Sequence, residues 1–274
     1  MTIWDPLILG ITQGLTEFLP ISSSGHLVII PDFLKKIGFS ISNPSVAFDV
    51  VLHFGTLVAV IIYMWKEVYS LIIGFKKLVL RCIGKIKGEF QTEEKLIFLL
   101  IVGSIPTGLM GIFLKDWFEE KFQNINAVGI SLIITAIILV IGNIWGKGVK
   151  KEVSYTKSFI IGIAQGCAIM PGISRSGITI VTGLLCGLEK EQAAKFSFLL
   201  SIPAIFGAGL IKIKDIFNET MMSFDLLNFL IGFIVSIICG YIAIRFLLKI
   251  LTKGKLYYFA IYCFILGIIV FIVL

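Results

Sequence analysis

Charged residues are scarce in this sequence. Of its 274 residues only 15% are Asp, Glu, Lys or Arg, while 57% are hydrophobic and the mean hydropathy is +1.00. Soluble globular domains carry about 25% charged residues, so the composition excludes an ordinary soluble protein. The apolar runs are continuous rather than alternating, which argues against a membrane β-barrel.

Two further absences narrow the class of protein. The five cysteines include no CxxC pair, so we expect small packing residues rather than a zinc site or a disulfide framework. The first 19 residues carry Asp5 and Glu17 but no basic segment, and no small-residue cleavage site follows. We therefore do not expect a secretory signal at this end.

Six apolar stretches approach the roughly 20 residues that cross a hydrocarbon core as a helix. They are 46–65, 96–114, 127–145, 196–211, 226–248 and 256–274. These stretches predict an all-α polytopic membrane protein with six full spans. A further segment, 67–83, is amphipathic and basic, and we expect it to lie on the cytoplasmic leaflet without spanning.

The 24 Lys and Arg residues predict the orientation of the spans. Most lie in the segments 66–95, 146–157, 189–195 and 245–255, which the positive-inside rule places in the cytoplasm. The alternate segments carry only Lys35, Lys36, Lys115, Lys121, Lys212 and Lys214. Membrane topology thus explains the net charge of +7, and we expect no nucleic-acid partner.

The sequence also contains an internal repeat. Residues 10–29, GITQGLTEFLPISSSGHLVI, align without a gap with residues 162–181, GIAQGCAIMPGISRSGITIV, and eight of the twenty positions are identical. Most of the identities are Gly, Gln and Ser, which chance matching of apolar residues would not favour. We therefore predict two repeated halves, 1–150 and 151–274.

Each half has the same predicted plan, a broken hydrophobic pair (1–34 or 155–188) followed by three spans. Because three is odd, the second half is predicted to be inverted relative to the first, which gives about ten helices in all. The arms of each pair, 6–19 with 27–34 and 158–170 with 178–188, are too short to cross comfortably. We expect two re-entrant hairpins whose polar tips, SSSGH and SRSG, meet in a buried or wet cleft.

The tips break the repeat at the positions where chemistry is expected. Glu17, Ser23 and His26 align with Ile169, Arg175 and Ile178. An arginine at membrane depth is costly without a partner and suggests a function, although Arg175 pairing with Glu17 to join the halves is an alternative. Arginine and two helix N-termini favour a phosphate ligand and phosphoryl transfer.

Other polar residues have shared or structural interpretations. The serines with repeat partners, Ser22 with Ser174 and Ser24 with Ser176, suit helix capping and anion binding. Gln13 lies four residues before Glu17 on one helix face, where the two either form a structural pair, handle protons or bind a divalent ion. His53 lies within a span near Asp49, and we expect a buried histidine with satisfied hydrogen bonds.

These motifs resemble those of the undecaprenyl-diphosphate phosphatase family, also called UppP or BacA. QGLTEFLPISSSGH, residues 13–26, looks like its first motif, and PGISRSGIT, residues 171–179, is similar to its second, in the same order. The segment FSFLLSIPAIFGA, 196–208, also resembles the family. Gln13 departs from the pattern, because many members have Glu there, which weakens a metal role at this position.

The resemblance implies an enzyme that removes the terminal phosphate of undecaprenyl diphosphate, recycles the lipid carrier of cell-wall polymers and confers bacitracin resistance. It implies a divalent cation, Mg²⁺ or Ca²⁺, with Glu17 as the stronger ligand, and a multi-pass protein of the bacterial cytoplasmic membrane whose site opens outward. The implied catalytic residues are Glu17, Ser23, His26 and Arg175, with Ser23 or His26 as nucleophile. The implied substrate-binding residues are Gln13, Ser22, Ser24, Ser174, Ser176 and Thr179.

Several points stay open at this stage. Inverted repeats are common in transporters, so a prenyl-phosphate flippase or secondary transporter is the rival interpretation. The chain-length preference, a homodimer and movement of the lipid across the membrane are also undecided. In the simplest mechanism, Glu17 orients His26, and His26 takes the proton from Ser23.

Overall fold

The computed structural model describes residues 3–39, 41, 44–122, 124–218 and 225–273, and this part of the chain is helical apart from turns and one isolated bridge. Its eleven helices are α1 (Trp4–Phe18), α2 (Ser23–Lys36), α3 (Val46–Tyr63), α4 (Trp65–Cys82), α5 (Thr92–Phe122), α6 (Ile125–Trp145), α7 (Tyr155–Cys167), α8 (Arg175–Leu185), α9 (Lys190–Asn218), α10 (Leu226–Thr252) and α11 (Tyr257–Val273). The predicted all-α class is confirmed. Residues 1–2 and 274 of the predicted elements lie outside the described residues, as do the side chains of Lys115, Lys121 and Lys214.

Five of the described helices are long and apolar enough to cross a bilayer, namely α3, α5, α6, α9 and α10. The sixth predicted span is α11, which is apolar but has only 17 residues. The chain is therefore a multi-pass membrane protein. Helices α5 and α9 extend beyond the predicted 96–114 and 196–211, because hydropathy drops at the first charged residues while the backbone stays helical.

Helix α4 is the reason that the described helices number eleven rather than the predicted ten. It covers residues 67–82 of the predicted amphipathic segment 67–83 and packs along α5, where a Cβ on Gly74 would lie 2.6 Å from the carbonyl oxygen of Glu93. Arg81 clamps the two helices with bonds of 2.9 and 3.1 Å to the carboxylate of Glu94. Its exposed apolar face, with Ile72 and Phe75, matches a helix that lies at the membrane surface.

The two broken pairs are helix–turn–helix elements whose second helices begin earlier than predicted. Helix α2 begins at Ser23 and α8 at Arg175, because Ser22 and Ser174 act as N-caps. The Ser22 hydroxyl accepts from the N–H of Gly25 at 3.3 Å, and the Ser174 hydroxyl accepts from Gly177 at 3.1 Å. The tip residues Ser23 and Arg175 therefore occupy the first helical turn.

The glycines of the repeat pack the first helix of each half against a span of the other half. On α1, a Cβ on Gly14 would lie 2.5 Å from Cys239 of α10, and on α7 a Cβ on Gly162 would lie 2.1 Å from the carbonyl oxygen of Gly103 of α5. Small residues four apart allow such close helix crossings in membranes. The first helix of each half thus packs on a span of the other half, as a two-fold relation between the halves requires. The inverted orientation of the second half stays a prediction.

The last span of each half supports the tip of the other half. Thr135 of α6 donates to the carbonyl oxygen of Gly172 at 3.1 Å and accepts from the N–H of Ser174 at 3.1 Å. From α11, Cys263 contacts the carbonyl oxygen of Pro20 at 3.7 Å. The two tips meet between these supports, where Ser176 donates to the carbonyl oxygen of Leu19 at 3.0 Å.

Candidate active site

Glu17, near the end of α1, is the centre of a hydrogen-bond network. Its Oε2 accepts from the hydroxyl of Ser23 at 2.6 Å and from the amide of Gln13 at 3.0 Å, while Oε1 accepts from Nη2 of Arg175 at 2.5 Å. The Glu17 and Arg175 side chains are only 7% and 15% exposed. Residues from both tips and from α1 thus meet, as the sequence predicted.

Ser23 is placed as a nucleophile would be. It is the first residue of α2, and its N-cap neighbour Ser22 has a φ of 70°, the only positive φ outside glycine among the described residues. Such backbone strain is characteristic of functional sites. A serine hydroxyl that donates to a carboxylate has an acceptor ready for its proton, which is the usual way to activate this weak nucleophile.

Arg175 has structural features that fit both of the roles that the sequence left as alternatives. It pairs with Glu17 across the halves, and it also lines a cavity with its second terminal nitrogen, Nη1, buried and without a hydrogen-bond partner. Guanidinium groups suit phosphate oxygens, since they present several donors in one plane. A phosphate oxygen that reached Nη1 would supply the hydrogen-bond partner that this buried donor lacks.

The cavity in front of these residues has a volume of about 480 Å³. Part of its polar wall comes from α1 and the two tips, and much of the remaining wall is apolar. The polar residues at the tips are Glu17, Ser22, Ser23, Ser24, Ser174 and Arg175. A site that is mostly apolar with a few convergent polar groups is typical of a small-molecule pocket.

The structure corrects the interpretation of His53 as a buried histidine. His53 lines the same cavity with 29% of its side chain exposed, and its Nε2 lies 3.9 Å from Oε2 of Glu17. Its Nδ1 donates to the carbonyl oxygen of Asp49 at 2.9 Å and lies 3.4 Å from the Asp49 carboxylate. Lys212 of α9 donates to the other oxygen of Asp49 at 2.6 Å.

These three residues are the part of the site that the motifs did not reveal. A signal was present, because Asp49 and His53 lie four residues apart within a predicted span and Lys212 directly follows another. Ionisable residues inside spans are functional candidates by default. The motifs point only to the tips, whereas α3 and α9 reach the cavity through tertiary packing.

His26 lies differently from the sequence-based mechanism. Its ring is buried, with Nδ1 donating to the carbonyl oxygen of Ser22 at 2.7 Å, so in the neutral ring Nε2 accepts from the hydroxyl of Tyr262 at 2.7 Å. The Tyr262 ring also stacks on the imidazole. The expectation that Glu17 orients His26 is therefore wrong, because Glu17 bonds to Ser23 directly.

Of the six predicted substrate-binding residues, Gln13 is buried and donates to Glu17 at 3.0 Å, and the other five divide into two groups. Ser22, Ser24 and Ser174 lie on the cavity wall. Ser176 and Thr179 are buried behind it, since Ser176 bonds to Leu19 and the Thr179 hydroxyl lies 2.6 Å from that of Ser197. The structure assigns these last two to holding the second tip in place.

Comparison with known proteins shows which family the chain belongs to. Residues 6–269 match the family described as Bacitracin resistance protein BacA. The chain is 45% identical to an undecaprenyl-diphosphatase of Methanosphaera stadtmanae over 99% of this chain and 98% of the relative. It is 44% identical to one of Halothermothrix orenii, with 99% and 98% covered, and 37% identical to one of Bacteroides fragilis, with 100% and 98% covered. The chain belongs to the BacA family.

The metal expected for a BacA protein has few protein ligands in this arrangement. Among the described residues, no cluster of three or more His, Cys, Asp and Glu is arranged to hold a metal ion. Glu17, Asp49 and the unpartnered Oε1 of Gln13 are oxygen donors of the kind that Mg²⁺ and Ca²⁺ prefer, but both carboxylates are bonded to cations. The set fits a cation held chiefly by substrate phosphates, with one carboxylate as protein ligand.

Proposed function

We propose that this chain hydrolyses undecaprenyl diphosphate to undecaprenyl phosphate and inorganic phosphate. The observation that carries the proposal is the Ser23 hydroxyl, bonded to Glu17 at 2.6 Å beside the guanidinium of Arg175 in a membrane-embedded cavity. The relatives named undecaprenyl-diphosphatase cover nearly the whole chain and support the same activity. This reaction recycles the lipid carrier of cell-wall polymers and reduces sensitivity to bacitracin.

The geometry supports a two-step mechanism. Ser23 Oγ attacks the terminal phosphorus, the bond from that phosphorus to the bridging oxygen breaks, and undecaprenyl phosphate leaves. Glu17 Oε2 takes the hydroxyl proton, because it already accepts the hydrogen bond from Ser23. Arg175 stabilises the charge on the transferring group. Water then attacks the phosphoserine, Glu17 returns the proton to Ser23 and inorganic phosphate departs.

Two roles implied by the family resemblance remain proposals. A divalent cation, when bound, would neutralise charge on the diphosphate, with Glu17 or Asp49 as its protein ligand. Nucleophilic attack by His26 would require its Nε2 to leave Tyr262 and turn toward the cavity, so Ser23 is the nucleophile that this arrangement supports.

An apolar groove next to the cavity suits the isoprenoid tail of the substrate. The groove, of about 640 Å³, runs between α4 and α5 from Phe75 to Ile112, and it shares Ser104, Gly108 and Pro203 with the polar cavity. A tail in this groove would remain in contact with membrane lipid while the diphosphate lies in the cavity.

The cellular setting is proposed from the charge distribution. The basic α4 and the loops rich in Lys and Arg would face the cytoplasm, which places the protein in the cytoplasmic membrane with inverted halves. Asp49 at the start of α3 and Lys212 late in α9 would then lie on the outward side of the cavity. A homodimer stays a prediction, which light scattering of the detergent-purified protein would check.

Transport of a prenyl phosphate without hydrolysis is the rival function, and it is not favoured. A transporter needs no serine bonded to a carboxylate in one copy of the repeat alone. Phosphate release is therefore the decisive measurement.

The test is phosphate release from undecaprenyl diphosphate by the detergent-purified protein, with and without EDTA. We expect release from the wild type and less than about 1% of it from Ser23→Ala, because the nucleophile carries the reaction. Ser70→Ala on α4 is the matched control and should behave as wild type. A folded wild type that binds the lipid diphosphate but releases no phosphate would refute the proposal.

A further inference from the structure

The cavity wall carries a second pair of opposite charges besides Glu17 and Arg175. Lys212 Nζ on α9 donates to Asp49 Oδ2 on α3 at 2.6 Å. The Lys212 and Asp49 side chains are 32% and 19% exposed, and both line the cavity. Neither residue belongs to the tips or to the motifs, and the proposed reaction at Ser23 leaves Lys212 without a role.

A purely structural role for this pair is weakly supported. Helices α3 and α9 already pack through apolar contacts, with the rings of Phe54 and Phe206 edge to face at 6.3 Å. Gly209 of α9 adds to this packing, since a Cβ there would lie 2.8 Å from the Phe54 ring. Ionisable side chains are costly within spans, so a pair that packing does not require suggests a ligand.

The two pairs belong to one continuous row of ionisable groups. Arg175 contacts Glu17 at 2.5 Å, and Glu17 lies 3.9 Å from His53. His53 lies 3.4 Å from the carboxylate of Asp49, which Lys212 contacts at 2.6 Å. One cation thus lies at each end of the row, with His53 between the two carboxylates.

The repeat offers no counterpart for this second cation. A four-residue shift from the alignment of residues 10–29 with 162–181 matches FDVVLH, residues 48–53, with FSFLLS, residues 196–201. This match places Ser197 opposite Asp49 and Met64 opposite Lys212. Both counterparts are buried, and Ser197 is bonded to Thr179. The second pair is therefore asymmetric, as are Ser23 and Arg175.

We propose that Lys212, with His53 beside it, forms a second phosphate subsite that binds the phosphate remaining on the lipid. A diphosphate has two anionic groups, and the cavity wall has two cations joined by one row of contacts. The terminal phosphate would lie at Ser23 and Arg175, and the lipid-linked phosphate would take the place of Asp49 as the acceptor for Lys212. This inference rests on the proposed phosphatase function.

The experiment compares inhibition by the two reaction products. Phosphate release from undecaprenyl diphosphate is measured in the presence of undecaprenyl phosphate or of inorganic phosphate. In Lys212→Met the inhibition constant of undecaprenyl phosphate is expected to rise about tenfold, because one charge-assisted contact is lost. The inhibition constant of inorganic phosphate, bound at Arg175, should change less than about threefold.

A matched control lies on the same helix. Lys195 also pairs with a carboxylate, at 2.8 Å from Glu191, but does not line the cavity, so Lys195→Met should leave both inhibition constants unchanged. Because Lys212→Met removes the lysine bonded to Asp49, the single variant could misfold. In that case the double variant Asp49→Asn/Lys212→Met is measured in its place. It should show the same selective rise.

The possible outcomes separate the two proposals. Absence of phosphate release from the wild type would remove the phosphatase function and the subsite with it. Normal release by the wild type, with equal inhibition constants in Lys212→Met, Lys195→Met and wild type, would overturn the subsite alone. An equal rise in both inhibition constants would also overturn it, because Lys212 would then act on the whole cavity.

Discussion

Replacement of Glu17 by Gln tests the central step of the proposed mechanism. The Gln side chain has nearly the same shape and retains an oxygen that can accept from Ser23 or Arg175, but it cannot take a proton. General bases contribute about 10²- to 10⁴-fold to enzymatic rates, so the rate constant for phosphate release should fall by a factor in this range.

The same replacement has a stability cost that must be separated from the rate. Arg175 would be left as a mostly buried cation, since the Glu17 and Arg175 side chains are only 7% and 15% exposed. Removing one partner of a buried ion pair costs about 3–5 kcal/mol, and we expect the lower end because the Gln oxygen keeps a hydrogen bond. A lower thermal midpoint in detergent should accompany the slower reaction.

Single-turnover measurements keep the two effects apart. Partial unfolding lowers the amplitude of phosphate release, whereas loss of the base lowers its rate constant. Glu67→Gln is a matched control, because Glu67 on α4 lies 3.8 Å from Lys195 outside the cavity. A rate constant for Glu17→Gln within about threefold of the wild type would show that Glu17 is not the base.

Three further predictions follow from the packing and from the cavity. Gly14→Leu should lower the thermal midpoint by an amount equivalent to about 1–3 kcal/mol or more, because even a Cβ at Gly14 would lie 2.5 Å from Cys239. Gly108→Leu is the control and should leave the thermal midpoint unchanged, because a Cβ at Gly108 meets no atom within 4 Å. Gly108→Leu should instead raise KM for undecaprenyl diphosphate more than for farnesyl diphosphate, since it narrows the junction of groove and cavity. Equal effects on both substrates would contradict the proposal that the isoprenoid tail lies in the groove. Gln13→Glu should lower the Mg²⁺ concentration needed for half-maximal activity, because it places a second carboxylate one turn from Glu17, and an unchanged requirement would count against a metal near Gln13.

The sequence predicted the two tips well because their features are local. Caps, glycines and serines recur at fixed spacing in both copies of the repeat, and the structure places Ser22 and Ser174 as equivalent N-caps. The contact between Glu17 and Arg175 could also be anticipated, since a buried arginine requires a partner. What could not be predicted was that Nε2 of His26 bonds to Tyr262 rather than to a residue of the cavity, because Tyr262 lies 236 residues away in the sequence.

His53, Asp49 and Lys212 illustrate a different limit. The spacing of Asp49 and His53 on α3 is local. The contact of Asp49 with Lys212 depends on how α3 packs against α9, for which the sequence carries no short-range signal. The hydropathy of these helices also favoured a buried, satisfied histidine. Only the structure shows that one face of α3 opens into a cavity that Glu17 shares.

The site requires both halves of the chain, which explains why it is asymmetric on a repeated scaffold. Glu17 and Ser23 come from the first half and Arg175 and Lys212 from the second, while α6 and α11 each support the tip of the opposite half. The residues that the copies share, glycines and capping serines, serve packing and helix ends, which both halves need equally. The residues that differ meet in the cavity, where one substrate with two unlike phosphate groups requires unlike partners.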